Sequence, residues 1–347
     1  MSKNHTYSII VCAYNASSTI AACLHSLENL EFNRKRYEII VVDDGSTDNT
    51  VEIVKKFKDV KLVKSDRNHG LAAARNLGLK HSSGGIIISY DADCTSSHDW
   101  LTMLDRAYQD NPTASIIAGN LTNGANRTIL DQYLNYIGYG NPTRMLKGRG
   151  GSLLSRLGAY FEDRFIIDLP NTYYPIHNSC GANASFPADV LRAVNGWNAA
   201  LRGAEDTDIS ERLRHQFPDR PMIATPHANL THNHGLTLDG FLSRPIKRGP
   251  AEITNYYENR IFPPIFPMPF VVGILALILL ANGLGLAVLI LPFVCYPWHI
   301  YHYFKQRRLG YLALGYLEFL NEAAGLTGFL YGLTALAKRK LATSRQG

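Results

Sequence analysis

Carboxylates close two apolar runs of this chain. Asp43 and Asp44 end YEIIVVDD, and Asp91 and Asp93 end GIIISYDAD. Two acids one residue apart at a strand end can converge on one hard cation, Mg²⁺ or Mn²⁺, which in turn bridges protein oxygens to a diphosphate. The same pair also reads as a solvated strand end. A second acidic group, Glu205-Asp206 with Asp208, follows Gly203 in GAEDTDISERL. A carboxylate there can take a proton from an attacking hydroxyl. Equally, the acids can open a helix at its positive dipole end, with Arg212 and Arg214 following. THNHGL supplies His232 and His234, whose neutral ring nitrogens can complete a Mn²⁺ shell or bond to loop backbone. Of the two, His232 is the expected ligand and His234 the alternate. Trp197 in NGWN can stack on a sugar or pack behind a loop. His69 and His177 receive no role.

The elements around these residues set where they meet. YSIIVCAYN (7–15), YEIIVVDD (37–44), VKLVKS (60–65) and GIIISYDAD (85–93) read as strands, the first a short unbroken apolar run of the kind covered on both faces. Helices fall between them, the clearest being HGLAAARNLGLKH (69–81). The βαβαβαβ alternation predicts an α/β fold with a doubly wound, mostly parallel, Rossmann-like sheet. Such sheets bind ligands outside the carboxyl ends of their strands. Asn15, Asp43–Asp44 and Asp91–Asp93 all lie at those ends. The chain has no GxGxxG between its first strand and helix and no GxxxxGK[ST], so dinucleotide and P-loop readings lose their main support.

The chain has 347 residues, 46% of them apolar, and a formal net charge of +6. The positives gather at Lys247, Arg248 and Arg260, at Lys305, Arg307 and Arg308, and at Lys338, Arg339 and Lys340. These clusters flank a hydrophobic tail, which suits an anionic membrane face and not a nucleic-acid partner. Five cysteines with no CxxC, and no signal peptide, predict reduced thiols in a chain facing the cytosol.

CAYNASSTIAACLHSL, YEIIVVDDGSTDNT, RNHGLAAARNLGL, YDADC, GANASFPADVLRAVNGW and GAEDTDISERL occur in this order. Over about residues 7–250 they resemble the successive motifs of the inverting family 2 glycosyltransferases with the GT-A fold. The tail ending in NEAAGLTGFLYGL is similar to membrane-associated members such as succinoglycan-type exopolysaccharide transferases. The resemblance implies a nucleotide-sugar donor, a UDP-sugar foremost although guanosine donors use related pockets, and a divalent metal, Mn²⁺ or Mg²⁺. It also implies that Tyr14, Asn15 and Asp44 serve the donor's base and ribose, that Asp91 lies near ribose or metal, and that Asp93 is the main metal ligand. Arg75 and Asn76 would shape the donor pocket. Gly181, Asn183, Ser185 and Trp197 would line the acceptor side, with Asp206 as catalytic base and Glu205 helping to hold the acceptor. Ala13 departs from the proline common at that position, which shapes backbone and does no chemistry.

The expected enzyme is a metal-dependent inverting hexosyl- or N-acetylhexosaminyl-transferase acting on a glycan or lipid-linked acceptor at a membrane, with its catalytic domain facing the cytoplasm. Its rivals are a polyprenyl-phosphate sugar synthase, which needs no base of the Asp206 type, and a processive polysaccharide synthase, whose QxxRW string is missing. From another class comes an inactive scaffold that binds nucleotide sugar. The expected division is a catalytic domain over 1–250 (donor half 1–120, acceptor half 121–250), a linker over 251–262 and membrane-associated helices over 263–347. Within the last, 263–281 and 284–304 are apolar blocks near the length of about 20 residues that a span requires. The third block carries Glu318, Asn321 and Glu322, and acids at bilayer depth cost about 2.5–3.5 kcal/mol each, so an interfacial helix is expected there. Residues 126–170, with Tyr133, Tyr136, Tyr139, Arg144, Lys147, Arg149 and Arg156, suit either a membrane-facing lid or a surface insertion.

Overall fold

A computed structural model describes residues 5–124, 128–144, 152–165, 171–201, 203–260, 262–307 and 310–344. Lys147, Arg149 and Arg308 lie outside the described residues. In chain order the elements are β1 (Tyr7–Ala13), α1 (Ile20–Glu28), β2 (Tyr37–Asp43), α2 (Thr50–Val54), β3 (Val60–Lys64), α3 (Leu71–Lys80), β4 (Ile86–Asp91), β5 (Cys94–Ser96) and α4 (Trp100–Asp110). There follow β6 (Ile116–Asn123), α5 (Ile129–Tyr136), β7 (Thr143–Arg144), α6 (Leu153–Phe165), β8 (Tyr174–Asn178), β9 (Asn183–Pro187), α7 (Ala188–Ala193), α8 (Glu205–Gln216) and β10 (Met222–His232). The last helices are α9 (Leu238–Glu258), α10 (Pro267–Ala281), α11 (Leu291–Cys295), α12 (Trp298–Gln306) and α13 (Gly310–Ser344).

The chain divides into two compact units. The first comprises Met1–Gly124, Gly138–Leu146 and Asp168–His234 and holds all ten strands in one sheet, ordered β3-β2-β1-β4-β9-β6-β10-β8-β7 with β5 beside β10. The four strands expected from the sequence form its parallel half, where β1 pairs with both β2 and β4 and β2 with β3. Beyond β4 the sheet turns mixed, since β9 runs antiparallel between β4 and β6. Every residue of β1 is buried because helices cover both faces. Ile9, Val11, Ile39 and Val41 pack with Leu24, Leu27 and Leu104, while Ile10, Ile40, Val42 and Ile87 pack with Leu79, Leu191 and Leu213. Each such side chain contributes about 1.5–3 kcal/mol by leaving water, so neighbouring residues of one strand anchor opposite layers. This mixed α/β sheet, rich in parallel pairs, is of GT-A type.

The second unit comprises Ala125–Ile137, Lys147–Ile167 and Gly235–Gly347. The expected linker over 251–262 is a correction. Residues up to Glu258 belong to α9, which runs unbroken through residue 250 and packs along α13. Contact is close because glycines meet there: a Cβ on Gly249 would strike the Gly328 carbonyl, and one on Gly332 the Gly249 carbonyl. Small residues that let helix backbones approach in this way are common in apolar surroundings. Glu318 and Glu322 of α13 differ from expectation in how they are satisfied. Both are buried, with Arg164 Nε 2.9 Å from Glu318, Arg164 Nη2 bonded to Glu322, and Tyr160, Tyr296, Trp298 and His299 completing the shell. Protein partners, not interfacial water, compensate these acids. Among the described residues no single helix is long and apolar enough to cross a membrane; the apolar α10 has 15 residues, and Gly285–Cys295 with Trp298–Phe304 form a pair bent by 64°.

Candidate active site

β4 ends at Asp91, a turn follows, and the short β5 leaves antiparallel to β10 with Cys94 opposite His232. The Asn233 N–H donates to the Asp93 carbonyl at 2.9 Å and locks this crossing. The strand pairing therefore brings His232 to Asp93, with its Nε2 2.9 Å from an Asp93 carboxylate oxygen. Burial pushes the Asp93 pKa up, but the hydrogen bond and charge of His232 outweigh burial and hold it below the ordinary carboxylate value. His234 bonds elsewhere: its ring lies tilted by 36° against His232 with centroids 3.5 Å apart, and its Nε2 lies 2.9 Å from Asn123 Oδ1. The ligand atoms of Asp93, His232 and Cys94 lie within 4.8 Å of one another. A hard oxygen, a borderline imidazole nitrogen and a nearby sulfur fit Mn²⁺ better than Mg²⁺, which prefers oxygen throughout.

Beside this pair, one buried cation gathers the remaining acids. Arg75 of α3 is 1% exposed. Its Nη1 lies 2.8 Å from Asp206 Oδ1 and 3.4 Å from Glu205 Oε1, and its Nη2 lies 3.5 Å from Asp91 Oδ1. Burial opposes the charge of Arg75, but Asp206, Asp91 and Glu205 together push its pKa further up. Burial likewise raises Asp91, and Arg75 pulls it back. Asp206 has a second anchor in the Gly181 N–H, which donates to Oδ2 at 2.9 Å. Gly181 must be glycine here, because a Cβ would collide with the Arg75 guanidinium and the Asp206 carboxylate. Its N–H is thereby engaged by Asp206. Glu205 and Asp206 do occupy the first turn of α8, as the helix-dipole reading has it, after Ala204 at φ +61°. Asp208 fits the purely structural reading, since its carboxylate accepts from Arg212 Nε at 2.8 Å.

Several residues assigned to ligands make bonds within the framework. Asn183 is buried, with its amide donating to the Asn120 and Ala228 carbonyls and its Oδ1 accepting from Trp100. Ser185 is buried between Tyr108 and the Ile117 carbonyl. Trp197 is buried against Phe186, and both side-chain ends of Asn76 clamp the Trp197 backbone. Asn183, Ser185 and Trp197 are thus buried, whereas Asn76 stays partly exposed. Asn15, at φ +50°, ties its loop to Ser46 and Thr47, and the two oxygens of Asp44 accept from the His69 and Gly70 amides. Both shape loops at the strand ends. Tyr14, half exposed at the same edge, keeps a free face. Sequence reasoning missed Cys94 and the hub position of Arg75. The latter had a signal, because Arg75 falls on the stripe of Ala72 and Leu79 that α3 buries.

A profile of the family described as Glycosyl transferase family 2 matches residues 8–194. Glycosyltransferase AglE of Haloferax volcanii is 36% identical over 98 residues, covering 27% of this chain and 32% of that protein. A poly-beta-1,6-N-acetyl-D-glucosamine synthase of Staphylococcus epidermidis is 36% identical over 116 residues, covering 33% of this chain and 28% of the synthase. The matches thus span about a third of the length of these curated relatives. Among solved structures, mannosyltransferase PcManGT of Pyrobaculum calidifontis in complex with GDP-Man and Mn²⁺ superposes with a TM-score of 0.56 at 17% identity, over 95% of this chain and 87% of that one.

Proposed function

The chain belongs to glycosyl transferase family 2, and from that premise we propose that it moves one hexosyl or N-acetylhexosaminyl group, with inversion, from a nucleotide diphosphate sugar to a hydroxyl of a glycan or lipid-linked acceptor at a membrane. The observation that carries the reading is the single buried guanidinium of Arg75 holding Asp91, Glu205 and Asp206 beside the Asp93–His232 pair. A UDP-sugar is the first choice of donor. The GDP-Man in the similar mannosyltransferase makes a guanosine donor the specific competitor.

Asp206 is the base. Arg75 and Gly181 fix the orientation of its two oxygens, and each oxygen retains a lone pair for the acceptor hydroxyl. As the hydroxyl oxygen attacks the anomeric carbon from the face opposite the nucleotide, its proton passes to Asp206 and the bond to the diphosphate breaks. Attack from that face inverts the anomeric configuration, and charge develops on the ring as in other glycosyl transfers. Asp93 and His232 would hold a Mn²⁺ or Mg²⁺ ion, which supplies Lewis-acid stabilisation of the departing diphosphate. Tyr14 offers an exposed ring to the base.

The second unit supports the membrane part of the reading. No Asp, Glu, Lys or Arg occurs between Arg260 and Lys305, and Phe270, Ile274, Leu277, Leu286 and Leu289 are largely exposed, Leu286 to 86%. α10 is about 22 Å long, shorter than the roughly 30 Å hydrocarbon core, and the chain turns at Asn282–Gly283 with Gly283 at φ +74°. A hairpin entering one leaflet and returning fits these lengths, with the catalytic unit on the cytoplasmic side. Asp206→Asn tests the assignment. Donor affinity by calorimetry should stay within about twofold while transfer falls by about 10²–10⁴. Transfer at the wild-type rate would remove Asp206 as the base.

A further inference from the structure

The second unit holds a half-open cavity of about 230 Å³ whose lining includes Arg164, Glu252, Tyr256, Phe266, Glu322 and Phe329. A water molecule takes about 30 Å³, so the space suits an organic group. Its charge selects the kind. Arg164 already faces two carboxylates and the Tyr160 carbonyl, which leaves no excess positive charge for an anion. The oxygens of Glu322 are likewise engaged, by Arg164, Tyr160 and Tyr296. Glu252 is the exception: among the described residues it has no hydrogen-bond or ion-pair partner. Burial pushes its pKa up, with Arg248 one turn earlier pulling it back, so a cation brought to it would relieve an unfavourable charge. One available carboxylate is too few for a divalent metal, which needs several oxygen ligands. One carboxylate with the rings of Tyr256, Phe266 and Phe329 is a set that receives an organic ammonium through ion pairing and cation–π attraction.

We propose that this cavity binds a primary ammonium group, seated on Glu252 within the aromatic wall. Pro264 to Phe266 line it and immediately precede α10, so the ammonium of an aminophospholipid headgroup is within reach at the root of the hairpin. This source rests on the membrane reading above; a small free amine would satisfy the same chemistry.

The test uses the full chain and vesicles of equal anionic lipid content, with the remainder either phosphatidylethanolamine or its trimethylated counterpart phosphatidylcholine. Wild type should float about fivefold more strongly with the ethanolamine lipid, whose ammonium N–H groups can donate to Glu252 where those of choline are methylated, and Glu252→Gln should lose that preference while still binding both vesicles. Without vesicles, millimolar ethanolamine should raise the Tm of wild type and leave Glu252→Gln unmoved; ethanol is the control. A Tm response without vesicle binding supports the cavity, assigns it to a free amine and sinks the hairpin reading. Vesicle binding with neither headgroup preference nor Tm response overturns the cavity and leaves the hairpin standing. Retention of either response by Glu252→Gln also overturns it. Glu252 makes no bond inside the unit, so the isosteric variant should match the wild-type Tm without ligand.

Discussion

Each unit of the molecule is built around an arginine that faces acids, and the two clusters divide their exposure in opposite ways. In the sheet unit the Arg75 side chain is 1% exposed, while Asp91 and Asp206 remain 25% and 28% exposed. In the helical unit Arg164 is 21% exposed, and Glu318 and Glu322 only 5% and 4%. Around Arg164 every acid oxygen has a donor from Tyr, Trp, His or Arg. Around Arg75 the cation and Glu205 are sealed, while Asp91 and Asp206 stay partly exposed. A cluster that stabilises closes over its carboxylates, whereas one that does chemistry must leave them reachable.

The largest effect that would break this contrast comes from the arginines themselves. Arg164→Met leaves two buried acids without their cation, at a cost of about 3–5 kcal/mol in urea unfolding, and Arg75→Met, whose partners Asp91 and Asp206 are partly exposed, should cost less. The two should part in activity per folded molecule, with Arg75→Met losing transfer and Arg164→Met retaining it. Equal loss in both would erase the distinction between the clusters. A smaller effect is expected at Gly328→Leu, which forces α9 from α13. Unfolding should require about 1–3 kcal/mol less, with donor affinity unchanged by calorimetry. The smallest sharpens the boundary inside the sheet unit. Ser185→Ala should lower stability by about 1 kcal/mol and leave the acceptor KM unaltered, as suits a hydroxyl bonded into the core.

Much of this was legible in the residues. The strands ending at Asp43 and Asp91 were plain because unbroken Ile and Val runs over sheet-forming lengths leave little alternative, and their acids do lie at strand ends. The meeting of Asp93 with His232 was a matter of choosing between two histidines, and strand register decides it: His232 pairs opposite Cys94, while His234 falls beyond the ladder. Burial was less legible. Asn183, Ser185 and Trp197 lie within motifs rich in functional residues, yet motif spacing does not tell whether a strand is covered on both faces. On β9 it is, since Asn183, Ala184, Ser185 and Phe186 are all buried. The expected linker over 251–262 gives way to α9, which runs to Glu258 and carries Pro245 and Pro250 within it.

Asp206 and Arg75 are 131 residues apart in sequence, yet they share a hydrogen bond. On a ribosome, Asp91 and Asp93 emerge long before the chain that carries Asp206 and His232. Until β10 has docked against β5 and α8 has reached Gly181, neither the Arg75–Asp206 nor the Asp93–His232 contact can form. Contacts so distant in sequence form late. The arrangement of the acids therefore waits on the closing of a long loop, and it is complete only when the sheet is.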